Sequence, residues 1–303
     1  LRLRCKYVKK YQGDLRPANR QCDMRACGAP WQVAPRPVPR PARRAVAAKA
    51  KGGAGGPAKP ERVDRLLSRL GYCSRADAKR WVKDARVTVD GVPVARHDVK
   101  VLATAEGGVR IDDQPPDHPD GLIAVLHKPK GVVCSHDERE GPNVYGLLPP
   151  RWRNRNPSVE AVGRLDKDTT GLLLFTDDGA LSHRLTSPRK NVWKTYEVTL
   201  DSEVPLSAIE AFAAGTLTLA GETKPCRPAR LSVDARDRKR CVLQLTEGKF
   251  HQVKRMMRSV GCEVINLHRA RFGELTLGET REGDAFVVDR ASLEAALFRD
   301  EEE

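Results

Sequence analysis

Apolar residues recur at helical spacing near residue 60. Val63, Leu66, Leu67 and Leu70 occupy positions i, i+3, i+4 and i+7, a pattern that predicts an amphipathic helix with one buried face. Gly71 follows at the position where a C-cap glycine is expected. The first predicted element is therefore a short helix over residues 63–70.

A second helix and a hairpin are predicted directly after it. Ser74 and Asp77 have the spacing of a capping box, which marks a helix start. Residues 87–94 alternate between apolar and polar side chains around Asp90-Gly91, a strong hairpin signal. Residues 61–105 thus predict a helix pair plus hairpin. The apolar positions of the second helix are Ala78, Trp81 and Val82.

Short strands dominate the pattern from Leu122 onward. Residues 123–126 form an apolar run, and residues 194–200 and 241–245 alternate, as half-buried strands do. Helical spacing returns over 206–214 and 251–260. Strands and helices that follow each other without regular βαβ repetition predict an α+β domain, which we assign to residues 121–298.

The remaining segments lack such patterns. Residues 1–60 predict a disordered basic tail, because a chain rich in Pro, Ala, Arg, Lys and Gly buries little apolar surface. An organellar transit peptide is the alternative, although this stretch contains no Ser. Residues 106–120 are acidic, contain Pro115-Pro116 and predict a linker. Residues 299–303 form an acidic tail. The expected location is the cytoplasm, or an organelle if residues 1–60 are a transit peptide.

Charge points to a polyanionic partner. The chain has 303 residues, a formal net charge of +14 and a sequence pI of about 9.6. Residues 1–60 hold 15 Lys and Arg against 2 Asp and Glu, whereas residues 119–303 hold 28 of each. Such an excess favours nucleic acid as partner. The long C-terminal part is neutral overall, so it would have to contact RNA through a local basic patch.

Several classes of protein are disfavoured by the sequence. The eight Cys include no Cys-x-x-Cys pair and no zinc-ligand spacing, so scattered reduced thiols are expected. No apolar run approaches the length of a membrane helix. The sequence contains no phosphate-binding glycine loop, dinucleotide fingerprint or metal motif. We therefore expect no metal, no cofactor and no membrane partner.

Two sets of charged residues are candidates for function. Six basic residues lie on the predicted helix pair, where they form either a solvated surface or an RNA-binding face: Arg65, Arg69, Arg75, Lys79, Arg80 and Lys83. Farther along, Asp166 and Asp168 flank Lys167 and follow Arg164. These carboxylates could cap a loop or act as an acid–base pair, as in glycoside hydrolases. Spacing alone leaves this a candidate acidic site.

Several ordered motifs resemble those of one enzyme family. In chain order, these motifs are Lys128-Pro129-Lys130-Gly131, Gly163-Arg164-Leu165-Asp166-Lys167-Asp168-Thr169-Thr170-Gly171, Lys194-Thr195-Tyr196, Glu247-Gly248-Lys249-Phe250-His251-Gln252-Val253-Lys254-Arg255-Met256 and Leu267-His268-Arg269. Together they resemble pseudouridine synthases of the RsuA type. Residues 61–105 resemble the S4 RNA-binding domain, which grips structured RNA. The resemblance implies a mixed, mainly antiparallel sheet with flanking helices behind the S4-like domain.

The resemblance also implies roles for individual residues. Asp166 becomes the catalytic aspartate, a nucleophile or base that acts on a flipped uridine. Tyr196 stacks on the target base, and Lys254 forms a salt bridge with Asp166. Leu267 packs against the pocket, and Arg164 braces the catalytic turn or contacts phosphate.

The resemblance leaves an alternative partner for Asp166 and two histidines to be interpreted. Arg255 is the alternative to Lys254 as partner of Asp166. His251 and His268 are interpreted as structural or RNA-contacting residues, because the chemistry of the family rests on the aspartate.

Small-subunit (16S) ribosomal RNA is the substrate that the motifs favour, and a large-subunit (23S) enzyme is the alternative. The expected partner is rRNA in a pre-ribosomal particle, with the protein acting as a monomer. A function of another class is a non-catalytic S4-type assembly factor. The joint presence of Asp166, Tyr196 and Lys254 argues against such a factor.

Overall fold

Residues 59–104, 106–187 and 190–297 are described by a computed structural model of the chain. The predicted basic tail lies outside these residues except for its last two positions. The predicted acidic tail lies outside them as well. The helices, strands and contacts named for the fold lie within these ranges.

The first module contains two helices and two small sheets. Strand β2 lies between β3 and β5 in an antiparallel three-stranded sheet, and β1 pairs with β4. Both predicted helices and the hairpin are confirmed. The elements are β1 (Glu61–Arg62), α1 (Val63–Arg69), α2 (Ala78–Lys83), β2 (Val87–Val89), β3 (Val92–Pro93), β4 (Lys100–Val101) and β5 (Val109–Ile111).

Burial in this module follows the predicted pattern. Val63, Leu66, Leu67 and Leu70 are fully buried in the module's own core. The backbone N–H of Asp77 donates to the Ser74 hydroxyl at 3.2 Å, as the capping box predicts. The residues between Ser74 and Ala78 nevertheless form a turn, and α2 begins only at Ala78.

The predicted linker, residues 106–120, contains a strand. Strand β5 pairs with β2, and its Val109 and Ile111 are each 1% exposed in the module's core. Acidic neighbours and the Pro pair concealed a three-residue alternation, apolar on both sides of Arg110. The linker prediction therefore does not hold for residues 109–111, which complete the first module.

A large mixed sheet forms the second part. The order along the sheet is β10-β11-β9-β12-β8-β6-β14, with β7 added on β8 and β13 on β12. Strands β8 and β12 are parallel, and the other pairs described in this sheet are antiparallel. This confirms the α+β fold with a mixed, mainly antiparallel sheet. The elements are β6 (Ile123–Lys128), α3 (Pro150–Arg153), β7 (Glu160–Val162), β8 (Thr170–Thr176), α4 (Gly179–Thr186), β9 (Lys194–Leu200), α5 (Ser207–Ala213), β10 (Arg230–Val233), β11 (Arg240–Leu245), α6 (Gln252–Ser259), β12 (Val264–Phe272), β13 (Leu275–Thr276), β14 (Ala285–Val287) and α7 (Arg290–Leu297).

Helices cover both faces of the sheet. Leu173 and Phe175 of β8 join a core with residues of α5 and α6, whereas Leu172 and Leu174 join a second core with residues of α4 and α7. A strand buried on both sides reads as a continuous apolar run rather than an alternation. The predicted helices over 206–214 and 251–260 correspond to α5 and α6, each shorter by one residue at both ends.

A buried ion pair joins the segment after β5 to the large sheet. The Arg155 guanidinium, 0% exposed, lies 2.8 Å from the carboxylate of Asp177. It also donates to the carbonyls of Asp117 and His118 at 2.8 and 2.9 Å. The other oxygen of Asp177 accepts from the Leu122 N–H at 2.8 Å. Asp177, at the end of β8, is therefore occupied in holding this junction together.

Candidate active site

Asp166 lies on the loop that connects β7 to β8. Gly163 opens the loop with a φ of 72°, and Leu165 is buried with its N–H 3.4 Å from the Cys134 sulfur. The Thr169 N–H donates to the Asp166 carbonyl at 3.1 Å and closes a turn. With the backbone anchored at both ends, the carboxylate of Asp166 projects from a fixed turn and is 26% exposed.

Lys128 supports this loop from beneath. Its side chain is fully buried, and Nζ donates to the carbonyls of Thr169 at 2.8 Å, Pro129 at 3.0 Å and Lys167 at 3.3 Å. Burial lowers the pKa of Lys128, and the nearby Cys134 and the loop carboxylates oppose that shift. Three carbonyls therefore share one buried ammonium, which fixes the loop around Asp166. No role for Lys128 was predicted from the sequence. The available signal was a lysine that ends an apolar strand.

Lys254 of α6 lies between two carboxylates. Its Nζ is 3.1 Å from Asp166 Oδ2 and 2.5 Å from Asp168 Oδ1. Burial by itself would lower the pKa of Lys254, but the hydrogen bonds to Asp168 and Asp166 outweigh it and raise that pKa. For Asp168, burial is likewise outweighed, and the bond to Lys254 lowers its pKa. The bridging side chain is thus held as an ammonium ion.

Arg255, the alternative partner, points elsewhere. Its guanidinium lies 3.1 Å from Glu222 Oε1 and donates to the Phe250 carbonyl at 3.0 Å and to the Ala220 carbonyl. Buried neighbours on α6, Val253 and Met256 among them, fix the rotation of the helix. That rotation directs Lys254 toward the acidic loop and Arg255 toward residues 220–222.

His251, interpreted from sequence as structural or RNA-contacting, also reaches Asp166. Its Nε2 lies 3.5 Å from Asp166 Oδ1. The residue precedes α6 in the left-handed region, with φ 48° and ψ 35°, which non-glycine residues adopt at some cost in free energy. Its ring stacks on that of Phe250, with ring centroids 3.8 Å apart. No role for Phe250 was predicted from the sequence.

Tyr196 and Leu267 lie on neighbouring strands of the sheet. Tyr196 of β9 is 8% exposed, and Leu267 of β12 is 7% exposed. In the register between these strands, Tyr196 lies opposite Arg269, and Leu267 opposite Val198. Tyr196 and Leu267 belong to the same core as Leu165 of the loop and several residues of α6. Both residues therefore belong to the core that also holds Leu165 of the acidic loop.

Arg164 stands apart from these contacts. It is exposed on the loop, and within the described ranges no hydrogen bond or ion pair engages its side chain. A guanidinium that no carboxylate holds is available to an incoming anion.

The six basic residues of the first module divide into two groups. Arg69 is committed internally, since its guanidinium binds the Glu61 carboxylate and donates to the Pro119 carbonyl at 2.9 Å. The others present exposed side chains, and three of them make ion pairs within the module. The exposed residues are Arg65, Arg75, Lys79, Arg80 and Lys83.

Neither a cluster of metal ligands nor a membrane-spanning helix occurs in the part of the chain that the structure describes. There, no three His, Cys, Asp or Glu side chains converge as metal ligands would. None of the helices described has the length and apolar character needed to span a bilayer.

Comparisons with known proteins point to one enzyme class. Residues 123–259 match the family model for RNA pseudouridylate synthase, and residues 61–103 match that for the S4 domain. The chain is 43% identical over 219 residues to ribosomal small subunit pseudouridine synthase A of Escherichia coli (strain K12), covering 71% of this chain and 90% of that protein. It is 38% identical over 229 residues to an RNA pseudouridine synthase of Bacillus subtilis (strain 168), covering 73% and 94%.

A solved structure agrees with these matches. The crystal structure of a pseudouridylate synthase superposes with a TM-score of 0.53 at 33% sequence identity. The match covers 78% of this chain and all of that one. The likeness therefore extends beyond the sheet to most of the described fold.

Proposed function

We propose that this chain, which belongs to the RNA pseudouridylate synthase family, isomerises one uridine of small-subunit (16S) ribosomal RNA to pseudouridine. Membership of the family makes the protein an isomerase, and its S4 domain makes RNA the partner. The choice of 16S RNA is supported by the likeness to a relative named for the small ribosomal subunit. The observation that carries the chemistry is the ion pair between Lys254 and Asp166.

The reaction needs little from the protein besides binding and one carboxylate. The bond from uracil N1 to ribose C1′ breaks, and a bond from C5 to C1′ forms. The proton on C5 is lost, and N1 gains one, so no other reactant is consumed. A carboxylate can start this sequence by attacking C6, by attacking C1′ or by removing the 2′ proton. In our proposal Asp166 is that carboxylate.

The neighbours of Asp166 receive supporting roles in the proposal. Lys254 orients the carboxylate and places a positive charge 3.1 Å from it. Tyr196 and Leu267, from adjacent strands, form the apolar wall on which the flipped uracil rests. Arg164 contacts a phosphate of the RNA strand that carries the flipped uridine. Extrusion of the base costs a few kcal/mol, which contacts of this kind must offset.

We propose further that the first module supplies affinity for the RNA. Its exposed basic residues bind phosphates of structured rRNA, which makes association strongly dependent on salt. The described residues hold one such module and one acidic site, and we propose that the protein acts as a monomer. Its substrate is proposed to be rRNA in a particle that is still assembling.

The test is a map of pseudouridines in cells that lack this protein. Carbodiimide labelling and primer extension across both rRNAs would compare complementation by wild type and by Asp166→Ala. Loss of one 16S site, restored only by wild type, is the expected result. Loss of a large-subunit site would contradict the substrate. Full restoration by Asp166→Ala would contradict the role of the carboxylate and favour a non-catalytic binding function.

A further inference from the structure

Phe250 presents an aromatic face to solvent beside the acidic loop. It is 66% exposed, the most exposed of the large apolar side chains in the described ranges. One face lies on His251, with ring centroids 3.8 Å apart and ring planes inclined by 20°. His251 in turn lies 3.5 Å from Asp166. Two stacked rings therefore lead from solvent to the carboxylate, and the outer ring keeps one face free.

The exposed ring is held by a rigid backbone. The Phe250 carbonyl accepts from Arg255 at 3.0 Å, and the Lys249 N–H donates to Gln252 Oε1 at 2.8 Å. Lys249 Nζ donates to the carbonyls of residues 224 and 225. His251 supports the ring from a left-handed conformation that positions it over the start of α6. These contacts hold the Phe250 ring in one orientation, with one face on His251.

Cations lie on both elements that meet beside the ring. Lys254, on the adjoining turn of α6, is paired with Asp166 and Asp168, and the loop of these carboxylates also carries the exposed Arg164 and Lys167. A single free aromatic face among cations is how proteins bind unpaired nucleotides, since the cations hold phosphates while the ring stacks on a base. A protein partner would need a broad apolar patch, whereas Phe250 offers one ring.

We propose that the free face of Phe250 stacks on a nucleobase next to the target uridine in the RNA, with His251 as the second layer of the stack. When the uridine leaves the helix, its neighbour loses a stacking partner. Phe250 replaces that partner close to Asp166 and so stabilises the opened strand. The inference rests on the proposed role of Asp166, and it adds a positioning residue that stacks on the substrate strand.

Four variants separate an aromatic ring from apolar bulk. Phe250→Ala removes the side chain, Phe250→Leu keeps apolar bulk without a ring, and Phe250→Tyr keeps the ring. Leu206→Ala is the matched control, because Leu206 is a large apolar residue, 59% exposed, that precedes α5. The RNA is whichever rRNA fragment the purified wild-type protein modifies, so the choice of subunit does not affect the result. In two versions of it, 2-aminopurine replaces the nucleotide on either side of the modified uridine.

Two readouts are measured with each variant. The first is pseudouridine formation under single-turnover conditions, as rate and half-saturating concentration. We expect Phe250→Ala and Phe250→Leu to lower the ratio of rate to half-saturating concentration about tenfold or more, the size of one base–aromatic stack. Leu206→Ala should stay within about threefold of wild type, the spread that surface variants away from a contact show. Phe250→Tyr should stay in the same range because it keeps the aromatic ring. The second readout is quenching of 2-aminopurine at one of the two positions, lost in Phe250→Ala and kept in Phe250→Tyr.

Specific outcomes would overturn the inference. The inference fails if Phe250→Leu retains as much activity as Phe250→Tyr does. It also fails if the wild-type protein quenches the probe at neither position. Repeating the fluorescence with Asp166→Asn separates this inference from the proposed function. If Asp166→Asn keeps full activity, the role of Asp166 is refuted, and the quenching still decides whether Phe250 stacks on the RNA.

Discussion

Lys254 Nζ lies 3.1 Å from Asp166 Oδ2 and simultaneously 2.5 Å from Asp168 Oδ1. One ammonium group on α6 thus binds two carboxylates of the loop between β7 and β8. Of the two, Asp166 is the less exposed, at 26% against 57% for Asp168. The shared lysine makes the carboxylates a natural comparison, since each can be removed while Lys254 keeps one partner.

The buried ammonium of Lys128 should be essential for stability as well as activity. Lys128→Met removes the ammonium donor from three carbonyls, of which that of Lys167 keeps the Gly131 N–H at 2.8 Å. We expect this to cost about 2–4 kcal/mol of the free energy of unfolding. Without this anchor, the loop should also hold Asp166 less precisely, and the rate of pseudouridine formation should fall. Urea denaturation and a single-turnover assay would measure both effects. Lys130→Met is the control, since Lys130 is exposed two residues away and should change stability by less than about 0.5 kcal/mol.

Gly171 should tolerate no side chain. It has a φ of 111°, and a Cβ there would overlap the backbone of Arg269 on the parallel neighbour β12. Gly171→Ala should therefore destabilise the protein by about 2–4 kcal/mol. Gly179→Ala is the matched control, because Gly179 begins α4 and a methyl group there would meet no atom within 4 Å. Equal melting temperatures of the two variants would contradict the close contact between β8 and β12.

The bond between Lys254 and Asp168 should make a modest, pH-dependent contribution to the free energy of unfolding. It lowers the pKa of Asp168 below 3.8. A lowered pKa in the folded state adds stability that is present above pH 3.8 and lost as the pH falls through the lowered value. Because Asp168 is more than half exposed, Asp168→Asn should cost at most about 1 kcal/mol at pH 7.

Urea denaturation across a pH series would test this dependence. The unfolding free energies of wild type and Asp168→Asn should converge as the pH falls below 3.8. Asp120→Asn serves as control, since Asp120 is exposed and makes no ion pair in the part of the chain described here. A difference for Asp168→Asn that persists unchanged at low pH would show that the ion pair is not its cause.

Local patterns were sufficient to predict much of the framework. The spacing of Val63, Leu66, Leu67 and Leu70 predicted α1, and the alternation in residues 194–200 predicted β9. The spacing of apolar residues shows which side of an element is buried, and in these two elements that spacing alone identified the buried side.

Other features depend on contacts distant in sequence. Nothing in the run around Lys128 shows that its ammonium binds the carbonyls of a loop that follows much later. The strand over residues 109–111 was concealed by acidic neighbours, because three residues carry too little periodicity. The rotation of α6 that separates Lys254 from Arg255 is set by packing against the sheet. These relationships emerge only when the elements assemble.

The most direct test of the account is a comparison of Asp166→Asn with Asp168→Asn in purified form. Both remove one carboxylate that binds Lys254 and leave the other. Single-turnover pseudouridine formation on the rRNA should fall at least about a thousandfold for Asp166→Asn, the scale of a lost catalytic group. For Asp168→Asn it should fall by less than about tenfold, the scale of an exposed ion pair. Equal losses in both variants, or an active Asp166→Asn, would contradict Asp166 as the catalytic carboxylate.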